Sequence, residues 1–478
     1  MKTSFLGFAY QSRSPIMASQ TAINVYPEIV EATGSDVAGF IGTPGLTYLY
    51  GSSTISTEVR GLYPVGDYLF AVIGNSIYRI NSSYVGTLVG TLTTSTFPVS
   101  MTDNGTQLLI SDAVGFSVVN LSTLAVTTSI TNAPVGGKVA FVDGYGVFGR
   151  NIGGTFGLTA LNDFTSINAL NVATAEGAPD DLITCLVDHR EVWLFGTLSI
   201  EVWTNTGAAF FPLERAPGGF IEQGCAAKNS PAKIDNSVFW LSADKNGKGM
   251  VYRSNVYQPE RISTHAIEYA IAQYSTISDA IGFCYQQEGH SFYVLTFPTG
   301  DTTWVYDCAT KGWHERKSFG DDGYLHRWKV NCHATFNNLN VVGDSYGNIY
   351  SLDLDSYTDG IGASGAVEIY RERAWELPDA EHNKVRIDKV ELLAMVGDGD
   401  SSDIYSVQPN VSLDVSVDAG RTFGYKRQQG MGLIGVNTRR AIWRRKGAGR
   451  DWVLRVSTTS RARTHWVGAN IKAEALNK

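Results

Sequence analysis

The carboxylates Glu372, Glu376 and Glu381, in the segment RERAWELPDAEH, form the one local cluster with side chains suited to general acid and base chemistry. Glycoside hydrolysis requires two such carboxyl groups on opposite sides of the scissile bond. A charged surface beside a domain boundary explains the same cluster, because acidic side chains are rarely buried without partners. The chain lacks the HExxH, GxSxG and GxxxxGK[ST] patterns of zinc peptidases, serine hydrolases and phosphate-binding loops. We therefore predict a surface cluster, no catalytic residues and no enzyme activity.

Two acidic loops contain the oxygen ligands that Ca²⁺ prefers: GDGDSSD, with Asp398, Asp400 and Asp403, and SADKNGKG, with Asp244 and Asn246. An EF-hand needs further ligands, a closing Glu and flanking helices, and neither loop has them. The five cysteines are widely spaced without a CxxC pair, and the eight histidines show no HxH spacing. The sequence therefore predicts solvated turns and reduced thiols, with neither a metal site nor a cofactor.

The segment SVDAGRTF fits the S-x-D-x-G-x-T-W/F pattern called an Asp-box, which resembles a turn found in sialidases and other propellers. In that turn Asp418 would hydrogen-bond the hairpin backbone, Gly420 would adopt the tight-turn conformation and Phe423 would pack beneath. Ser416 and Thr422 complete the pattern. The box is structural in those families and occurs here once, so we predict a structural turn. A propeller that binds carbohydrate or hydrolyses glycosides remains the alternative function, which the 10 tryptophans also suit.

The segment RRAIWRRKGAGRDW concentrates positive charge near the carboxyl end of the chain. In a strand, Trp443 shares one face with Ala441 and Arg445, whereas Ile442 shares the other face with Arg440 and Arg444, so arginines project from both faces. The following KGAG predicts a turn and DWVLRVS a returning strand, which together make a basic β-hairpin. Its cations suit DNA phosphates or acidic groups of the same chain or a neighbouring subunit, and we favour the subunit interface. The cations are Arg439, Arg440, Arg444, Arg445, Lys446 and Arg450.

Charge is unevenly distributed along the 478 residues, whose net charge is -8. Residues 421–478 contain 14 Lys+Arg and 2 Asp+Glu, whereas the other 420 residues contain 24 and 44. The chain therefore joins a basic end to an acidic body. The amino terminus MKTSFLGFAYQSRSP is too polar for a signal-peptide core, and no uncharged apolar run approaches the ~20 residues of a membrane helix. We expect a soluble protein, made in the cytoplasm, without membrane insertion.

A repeated unit of about 40 to 50 residues dominates the acidic body. Each unit has a polar turn, an aromatic and β-branched strand, a short Gly/Asn/Asp turn and a second strand rich in Tyr or Trp, which reads as a hairpin. Six clear copies and a weaker third copy, with further apolar segments between them, predict an all-β propeller of six or seven blades. Two unrelated β-sandwiches are the alternative. The copies begin at Gly66, Asn104, Asp143 (the weaker one), Asp188, Asp235, Glu288 and Asn337.

Changes in composition divide the chain into three parts. Residues 1–55 contain Pro and Gly with few strand signals and predict an extended arm over the propeller surface. Residues 56–357 contain the propeller repeats, and a Gly/Ser-rich boundary follows at 358–366. Residues 367–478 contain about five alternating segments, which predict a small basic β-sandwich.

Three segments together resemble the tail hub proteins of short-tailed bacteriophages, also called tail accessory or packaged-DNA stabilisation proteins. They are SQTAINVYPE with GFIGTPGL, VSLDVSVDAGRTFG, and RRAIWRRKGAGRDWVLRVSTTSRARTHWVGANIKAE. The family pattern has SxDxGxTW followed by RxxWRRLGxxRD. Phe423 replaces the Trp of this pattern, and Lys446 replaces an apolar residue. The positions that fit are Arg440, Trp443, Arg444, Arg445, Gly447, Arg450 and Asp451.

The resemblance implies a structural virion protein of the phage tail, assembled in the bacterial host cytoplasm. Such hubs form a homo-oligomeric ring, commonly of six copies, at the head-tail connector below the portal and its adaptor proteins. The ring continues the DNA channel, retains packaged DNA and docks a tail needle or nozzle and tailspike or fibre proteins. For this chain the resemblance therefore implies a homo-oligomer with those partners and a possible contact of Arg444, Arg445 and Arg450 with packaged DNA.

Overall fold

The computed structural model describes residues 5–29, 38–51, 57–112, 114–134, 137–150, 153–362, 365–377, 383–398 and 408–476. In these ranges the chain forms 42 strands and one helix, α1 (His265–Ile271). The side chain of Thr264 caps α1 by accepting a hydrogen bond from the backbone N–H of Ile267. The prediction of an all-β fold is confirmed.

The first five strands come from the amino-terminal 51 residues. They are β1 (Tyr10–Gln11), β2 (Ser19–Ile23), β3 (Val25–Ile29), β4 (Ala38–Gly42) and β5 (Gly45–Gly51).

Seven groups of four antiparallel strands form the blades of a propeller: five are separate four-stranded sheets, and two are parts of larger sheets. Blade 1 contains β6 (Val59–Val65), β7 (Tyr68–Ile73), β8 (Ser76–Ile80) and β9 (Gly86–Thr91). Blade 2 contains β10 (Ser100–Asp103), β11 (Gln107–Ser111), β12 (Phe116–Asn120) and β13 (Val126–Thr128). Blade 3 contains β14 (Val139–Val142), β15 (Tyr145–Gly149), β16 (Thr155–Leu158) and β17 (Val172–Thr174). Blade 4 contains β18 (Leu182–Asp188), β19 (Glu191–Gly196), β20 (Ile200–Asn205) and β21 (Leu213–Ile221).

The remaining three blades complete the ring. Blade 5 contains β22 (Ala232–Ile234), β23 (Ser237–Ala243), β24 (Gly249–Asn255) and β25 (Gln258–Arg261). Blade 6 contains β26 (Ile281–Gln287), β27 (His290–Phe297), β28 (Thr302–Asp307) and β29 (Gly312–Phe319), to which β30 (Leu325–Arg327) is paired. Blade 7 contains β31 (Val330–Phe336), β32 (Leu339–Asp344), β33 (Asn348–Asp353) and β5.

The apolar cores of the propeller lie between neighbouring blades, because each strand alternates its side chains between the two faces of its blade. Val147 of blade 3 and Leu194 of blade 4 share one such core, and the weak third repeat is therefore a complete blade. Val341 of blade 7 packs in a core with Val59 and Leu69 of blade 1. This last core closes a ring of seven blades, the upper of the two blade numbers predicted.

An amino-terminal strand closes blade 7. In β5, Leu46 and Thr47 pair with Leu352 and Ser351 of β33, so the first and last parts of the propeller are joined by backbone hydrogen bonds. Propellers avoid a free sheet edge by this kind of closure. Residues that we predicted as a surface arm are thus part of the propeller itself.

The final nine strands follow the propeller. They are β34 (Thr358–Gly362), β35 (Gly365–Glu368), β36 (Arg371–Glu376), β37 (Lys384–Ala394), β38 (Asn410–Ser416), β39 (Arg427–Gly430), β40 (Ala441–Gly449), β41 (Val453–Thr458) and β42 (His465–Leu476). Strands β34 and β35 form a hairpin on β5 at the predicted boundary. The others form two facing sheets with strand orders β2-β36-β41-β38-β39 and β3-β4-β42-β37-β40. The predicted β-sandwich is therefore confirmed.

The amino-terminal segment supplies strands to both sandwich sheets and crosses between them at Asn24. Its φ of +51° redirects the chain between β2 and β3. The Asn24 side chain donates hydrogen bonds to the carbonyls of Lys317 (2.9 Å) and Tyr370 (2.7 Å), and it accepts one from the Lys317 N–H (3.1 Å). Asn24 therefore joins the amino-terminal segment, blade 6 and the sandwich at one buried point.

Candidate interaction surface

Strand order places the basic segment at the edge of the sandwich away from its own propeller. Strands β2 and β3 begin the two sheets, and β2 pairs with β29 of blade 6 through Ile23 and Glu315. Strands β39 and β40 are last in the same two sheets. Four strand spacings of about 4.8 Å separate each last strand from the first, so roughly 19 Å of sheet lies between. Within the described residues, neither β39 nor β40 pairs with a further strand, so the outward-facing side chains of these two edge strands face solvent, while Ala441 and Trp443 of β40 point into the core.

Strands β40 and β41 do not form the predicted hairpin. β40 pairs with β37 in one sheet, whereas β41 pairs with β36 and β38 in the other. The chain crosses the sandwich at Arg450–Trp452 because Trp443 and Trp452 are both 2% exposed and fill the core between the sheets. The Trp452 indole N–H donates to the carbonyls of Val385 (3.0 Å) and Gly449 (3.2 Å). The prediction of a two-stranded basic hairpin is wrong.

A β-bulge turns Arg445 out of the core. Arg444 is paired opposite Lys389 and Gly447 opposite Ile387, so two residues of β40 face one of β37. Arg445, in this bulge, has a φ of +56° and is exposed beside Arg444. The predicted alternation, with Arg445 on the face of Trp443, therefore fails. Burying a guanidinium there without a partner would cost several kcal/mol.

Some cations of the segment are satisfied within the sandwich. The Arg440 Nε donates to Glu391 Oε1 (2.5 Å), and Lys389 Nζ lies 2.7 Å from the other oxygen of that carboxylate. These hydrogen bonds lower the pKa of Glu391. Arg455 pairs with Asp414 at 2.5 Å. The intrachain alternative that we considered from sequence therefore holds for Arg440.

Four arginines of the segment, and Arg427 of the neighbouring strand β39, have no ion-pair partner among the residues that the structure describes. They are exposed on β39, on β40 and on the loops at the ends of β40. We call this set the basic edge: Arg427, Arg439, Arg444, Arg445 and Arg450. Lys446 is half-buried next to it, and burial together with the neighbouring Arg427 lowers the pKa of Lys446 to about 8.

Apolar side chains accompany the basic edge. Leu433, Ile434 and Val436 lie in the loop from β39 to β40 and are 44%, 59% and 44% exposed. The backbone N–H of Gly435 bonds the carbonyl of Gly397 and anchors this loop (2.9 Å). Tyr425, in the loop before β39, is 97% exposed. Exposed apolar and aromatic groups next to arginines are the composition of protein interfaces.

The Asp-box residues form the turn between β38 and β39. The Asp418 carboxylate accepts hydrogen bonds from the Thr422 N–H (2.9 Å), the Thr422 hydroxyl (2.6 Å) and the Ser416 hydroxyl (2.6 Å). These bonds hold the pKa of Asp418 far below its usual range. Gly420 has a φ of +84°, and the Phe423 ring stacks on the Arg455 guanidinium at 3.7 Å. The polar groups of the box bond within the turn, as a structural role requires.

The glutamates of RERAWELPDAEH secure the amino-terminal segment. Glu372 is buried and accepts hydrogen bonds from Thr21 Oγ1 (2.8 Å) and the Tyr370 hydroxyl (2.5 Å). Glu376 accepts the backbone N–H of Ser19. Glu381 lies outside the described residues. The predicted surface position is wrong for Glu372, because alternation alone does not show which face of β36 the amino-terminal strand covers.

The candidate calcium loops carry no cation geometry where they are described. Asp244 Oδ1 accepts the backbone N–H groups of Asn246 and Lys248 at 2.8 Å, which makes a closed turn. Asp398 lies 3.6 Å from Arg463, whereas Asp400 and Asp403 fall outside the described residues. The described ranges contain no group of three or more His, Cys, Asp or Glu arranged to hold a metal. All five cysteines are free thiols.

Sequence reasoning missed the buried arginine of β36. Arg373 is 0% exposed, and its guanidinium donates to the carbonyls of Phe5 (3.0 Å) and Thr21 (3.0 Å) and to Gln20 Oε1 (2.8 Å). Burial lowers the pKa of Arg373 to about 9. Its hydrogen bonds tie β2 and the segment before β1 to β36. An arginine in a local sequence of charges carries no signal of burial.

His290 and its two carboxylate partners, which we call the His290 triad, also join the two domains, and no sequence pattern predicts this contact. His290 Nδ1 lies 2.9 Å from Asp307 in blade 6, and Nε2 lies 2.6 Å from Glu28 in β3. The hydrogen bond to Asp307, and that to Glu28, raise the pKa of His290 to about 8. Glu28 precedes its partner by 262 residues, so spacing could not reveal the pair.

The described residues form a closed propeller joined to a β-sandwich, with exposed apolar groups and arginines that lack an ion pair within this part of the chain at one edge of the sandwich. Two family models match the chain. One, described as bacteriophage P22 Gp10, beta-propeller, matches residues 6–357, and the other, bacteriophage P22 Gp10, beta-sandwich, matches residues 370–474. The chain belongs to the Gp10 family of phage structural proteins, as its tail-hub resemblance indicated.

Comparison with other proteins adds fold neighbours only. A search of curated proteins found no match. The chain is similar to the WD40 beta propeller domain of Doa1, at 12% identity and a TM-score of 0.41, over 65% of this chain and 97% of that one. It is similar to virginiamycin B lyase from Staphylococcus aureus at 10% identity and a TM-score of 0.41, over 64% and 97%. It is similar to the computationally designed Ika8 protein at 12% identity and a TM-score of 0.40, over 65% of this chain and 99% of that one. Values this low say nothing about function.

Proposed function

We propose that this virion component forms a homo-oligomeric ring in the phage tail, below the portal and its adaptor proteins. The ring continues the DNA channel, retains packaged DNA and docks the tail needle or nozzle and tailspike or fibre proteins. Six copies are the stoichiometry that the resemblance favours. The observation that carries this proposal is the match of the Gp10 family to both domains.

The construction of the chain supports a load-carrying role. Blade 7 is closed by β5, and both sandwich sheets contain amino-terminal strands, so the two domains share one continuous segment. Asn24, Arg373 and His290 fill the junction with hydrogen bonds. A joint of this kind resists separation of the domains, which a ring under the pressure of packaged DNA requires.

The distribution of charge supports assembly by unlike surfaces. Residues 56–357 contain 28 Asp+Glu and 17 Lys+Arg, a net charge of -11, whereas the basic edge lies on the sandwich. Rings form when one surface of a subunit meets a different surface of its neighbour and the rotation closes. Opposite charges on the two domains favour this head-to-tail arrangement over a two-fold contact.

A non-enzymatic role fits the family and the candidate residues described above. The carbohydrate alternative was motivated by the Asp-box, whose side chains are engaged within a sandwich turn. Glu372 is occupied by Thr21 and Tyr370. The carboxylates of Asp418 and Glu372 are thus engaged by groups of the same chain rather than paired across a cleft as glycoside hydrolysis requires.

Phage particles made without this protein test the proposal. We expect them to package DNA and then lose it, and to show in electron micrographs heads that end at the adaptor ring. Purified protein added to such particles should restore a ring-shaped density and DNA retention. Particles that keep their DNA and a complete tail without the protein would contradict the proposal.

A further inference from the structure

The propeller presents its own acidic face to solvent. The first two strands of each blade are joined by a hairpin turn, and the antiparallel arrangement puts all of these turns at one end of the ring. Six successive blades have a carboxylate in or next to this turn. The carboxylates are Asp67, Asp103, Asp143, Asp188, Asp235 and Glu288.

Two of these carboxylates are neutralised within the chain. Arg190 Nε lies 2.8 Å from Asp143, and Lys233 Nζ lies 3.5 Å from Asp188. Asp67, Asp235 and Glu288 are exposed and have no ion pair within the described residues, and Glu288 lines a cleft that Arg371 and Arg463 of the sandwich also line. We call these three residues, with the turns that hold them, the acidic face.

Among the described residues, no cation of the basic edge forms an ion pair with the acidic face of its own chain. Four strand spacings, roughly 19 Å, separate β39 and β40 from the strands that touch blade 6. An ion pair needs its charged atoms within about 4 Å. A second copy of the chain can bring both surfaces together.

Apolar groups favour a protein partner over DNA at the basic edge. Phosphates are bound by cations and hydrogen-bond donors, which gives exposed Leu433, Ile434 and Val436 no part in the contact. A protein surface buries such side chains at the centre of an interface and leaves the charges at the rim. Tyr425 and the arginines are residue types that dominate binding energy in such interfaces.

Protection against aggregation is the competing explanation of the basic edge. Exposed edge strands often carry charges and bulges that prevent strand addition, and β40 has both. The bulge also excludes a partner that adds a strand along the whole of β40. Docking must therefore use side chains, and edge protection does not account for the exposed apolar loop beside the arginines.

We infer that the basic edge of one copy docks on the acidic face of the propeller of a second copy. This inference rests on the proposed ring and specifies its contact. The same two surfaces repeat around the ring, so each copy offers its sandwich to one neighbour and its propeller to the other.

Charge reversal tests the basic edge. Sedimentation velocity at low salt measures self-association of wild type and of an Arg444→Glu/Arg445→Glu variant, whose exposed substitutions spare the core. We expect the variant to associate about tenfold more weakly or worse, because opposite charges become like charges. The matched control is Lys245→Glu/Lys248→Glu, the same charge change in the exposed β23–β24 turn at the other end of blade 5. This control should associate like wild type.

A mixing experiment tests the pairing of the two surfaces. Asp67→Lys/Glu288→Lys reverses the acidic face, and alone it should also associate weakly. In a mixture of the two variants, the Asp67→Lys/Glu288→Lys chain keeps a wild-type basic edge and the Arg444→Glu/Arg445→Glu chain keeps a wild-type acidic face. These two wild-type surfaces can pair with each other. We expect the mixture to form oligomers that neither variant forms alone. A mixture that stays monomeric overturns the inference.

Two further results would overturn the inference and leave the proposed function standing. One is equal incorporation of wild type and Arg444→Glu/Arg445→Glu into tails that lack the protein. The other is loss of duplex DNA binding by that variant with unchanged self-association, which would assign the edge to DNA. Wild type that remains monomeric at low salt up to its solubility limit also overturns the inference. Failure of wild type to join tails at all would instead contradict the proposed function.

Discussion

The propeller and the sandwich are both β structures, but they obtain their cores in different ways. Each propeller core lies between neighbouring blades, such as Val147 with Leu194, and uses hairpins close together in sequence. The sandwich core joins Phe5 and Phe40 to Trp443, on the other side of the whole propeller sequence. The propeller is therefore local apart from its closure, whereas the sandwich depends on its most distant segment.

This difference shows why the amino-terminal segment has no domain of its own. Strand β5 completes blade 7, and β2, β3 and β4 complete both sandwich sheets. Each of these strands covers an edge that would otherwise expose unpaired backbone groups. The amino-terminal segment joins the two domains, and neither domain could form completely without its strands.

The largest expected effect comes from isolating the sandwich. A fragment of residues 367–478 lacks β2, β3 and β4, whose core residues cover Trp375 and Trp466. Both tryptophans would therefore become exposed in the fragment. We expect no cooperative thermal transition by circular dichroism. The control joins residues 5–51 to the fragment through a flexible linker and should restore one. Cooperative unfolding of the fragment alone would show that the sandwich folds without the distant amino-terminal strands, and this would contradict the difference between the two domains.

Substitution at the junction should have the next largest effect. Asn24→Ala removes the side-chain amide that hydrogen-bonds the N–H and carbonyl of Lys317 and the carbonyl of Tyr370. It also places alanine at a positive φ, which alanine disfavours. Together these changes should lower the free energy of unfolding by about 3 kcal/mol. Urea unfolding followed by tryptophan fluorescence measures the loss. Asn24→Gly keeps the backbone conformation and should lose less. Equal midpoints for wild type and Asn24→Ala would show that the joint carries no energy.

The His290 triad predicts a pH dependence of the contact between β3 and blade 6. The folded pKa of about 8 lies above the ordinary value of 6.5, so the stabilisation is complete below about pH 6.5 and is lost as pH rises through about 8. A shift of this size corresponds to about 2 kcal/mol. Urea midpoints of wild type and His290→Gln at pH 6 and pH 9 isolate this contribution. A variant with the same pH dependence as wild type would contradict it.

The smallest effect is expected for DNA. If Arg444, Arg445 and Arg450 each neutralised a phosphate, replacing all three by Ala would reduce the slope of log affinity against log salt by about 2.7. We expect an unchanged slope in fluorescence anisotropy with duplex DNA, because the basic edge serves a second copy. A slope reduced by about 2.7 would contradict this expectation and would assign DNA binding to the basic edge of the sandwich.

Much of the propeller was predictable because hairpins are local. Asp235 and Asn236 both adopt positive φ, at +50° and +52°, in a two-residue turn that such residues favour. The closure of blade 7 was not predictable, because GLTYLYG reads as an ordinary strand and its partner lies about 300 residues away. The sequence leaves six or seven blades because the third copy, from Asp143, is weak, and the structure shows that this copy is a complete blade.

The basic segment shows the same limit at the candidate surface. Alternation predicts that Trp443 and Arg445 share one face of β40, but Trp443 is buried in the core and the bulge turns Arg445 outward. The tight turn after β40 suggested a hairpin, but local geometry does not state whether the next strand returns to the same sheet. Both tryptophans needed a place in one core, and this sent β40 and β41 to opposite sheets.

The amino-acid sequence alone determined the hairpins, the Asp-box turn and the separation of an acidic body from a basic end. These features depend on side-chain alternation, turn conformation and net charge, which neighbouring residues set. The tertiary structure alone decided that Arg440 meets Glu391, that Arg373 is buried, and that the arginines of β40 face solvent at a free edge. Partners distant in the chain are chosen by burial of apolar groups and satisfaction of buried polar ones, and only the complete fold meets both requirements.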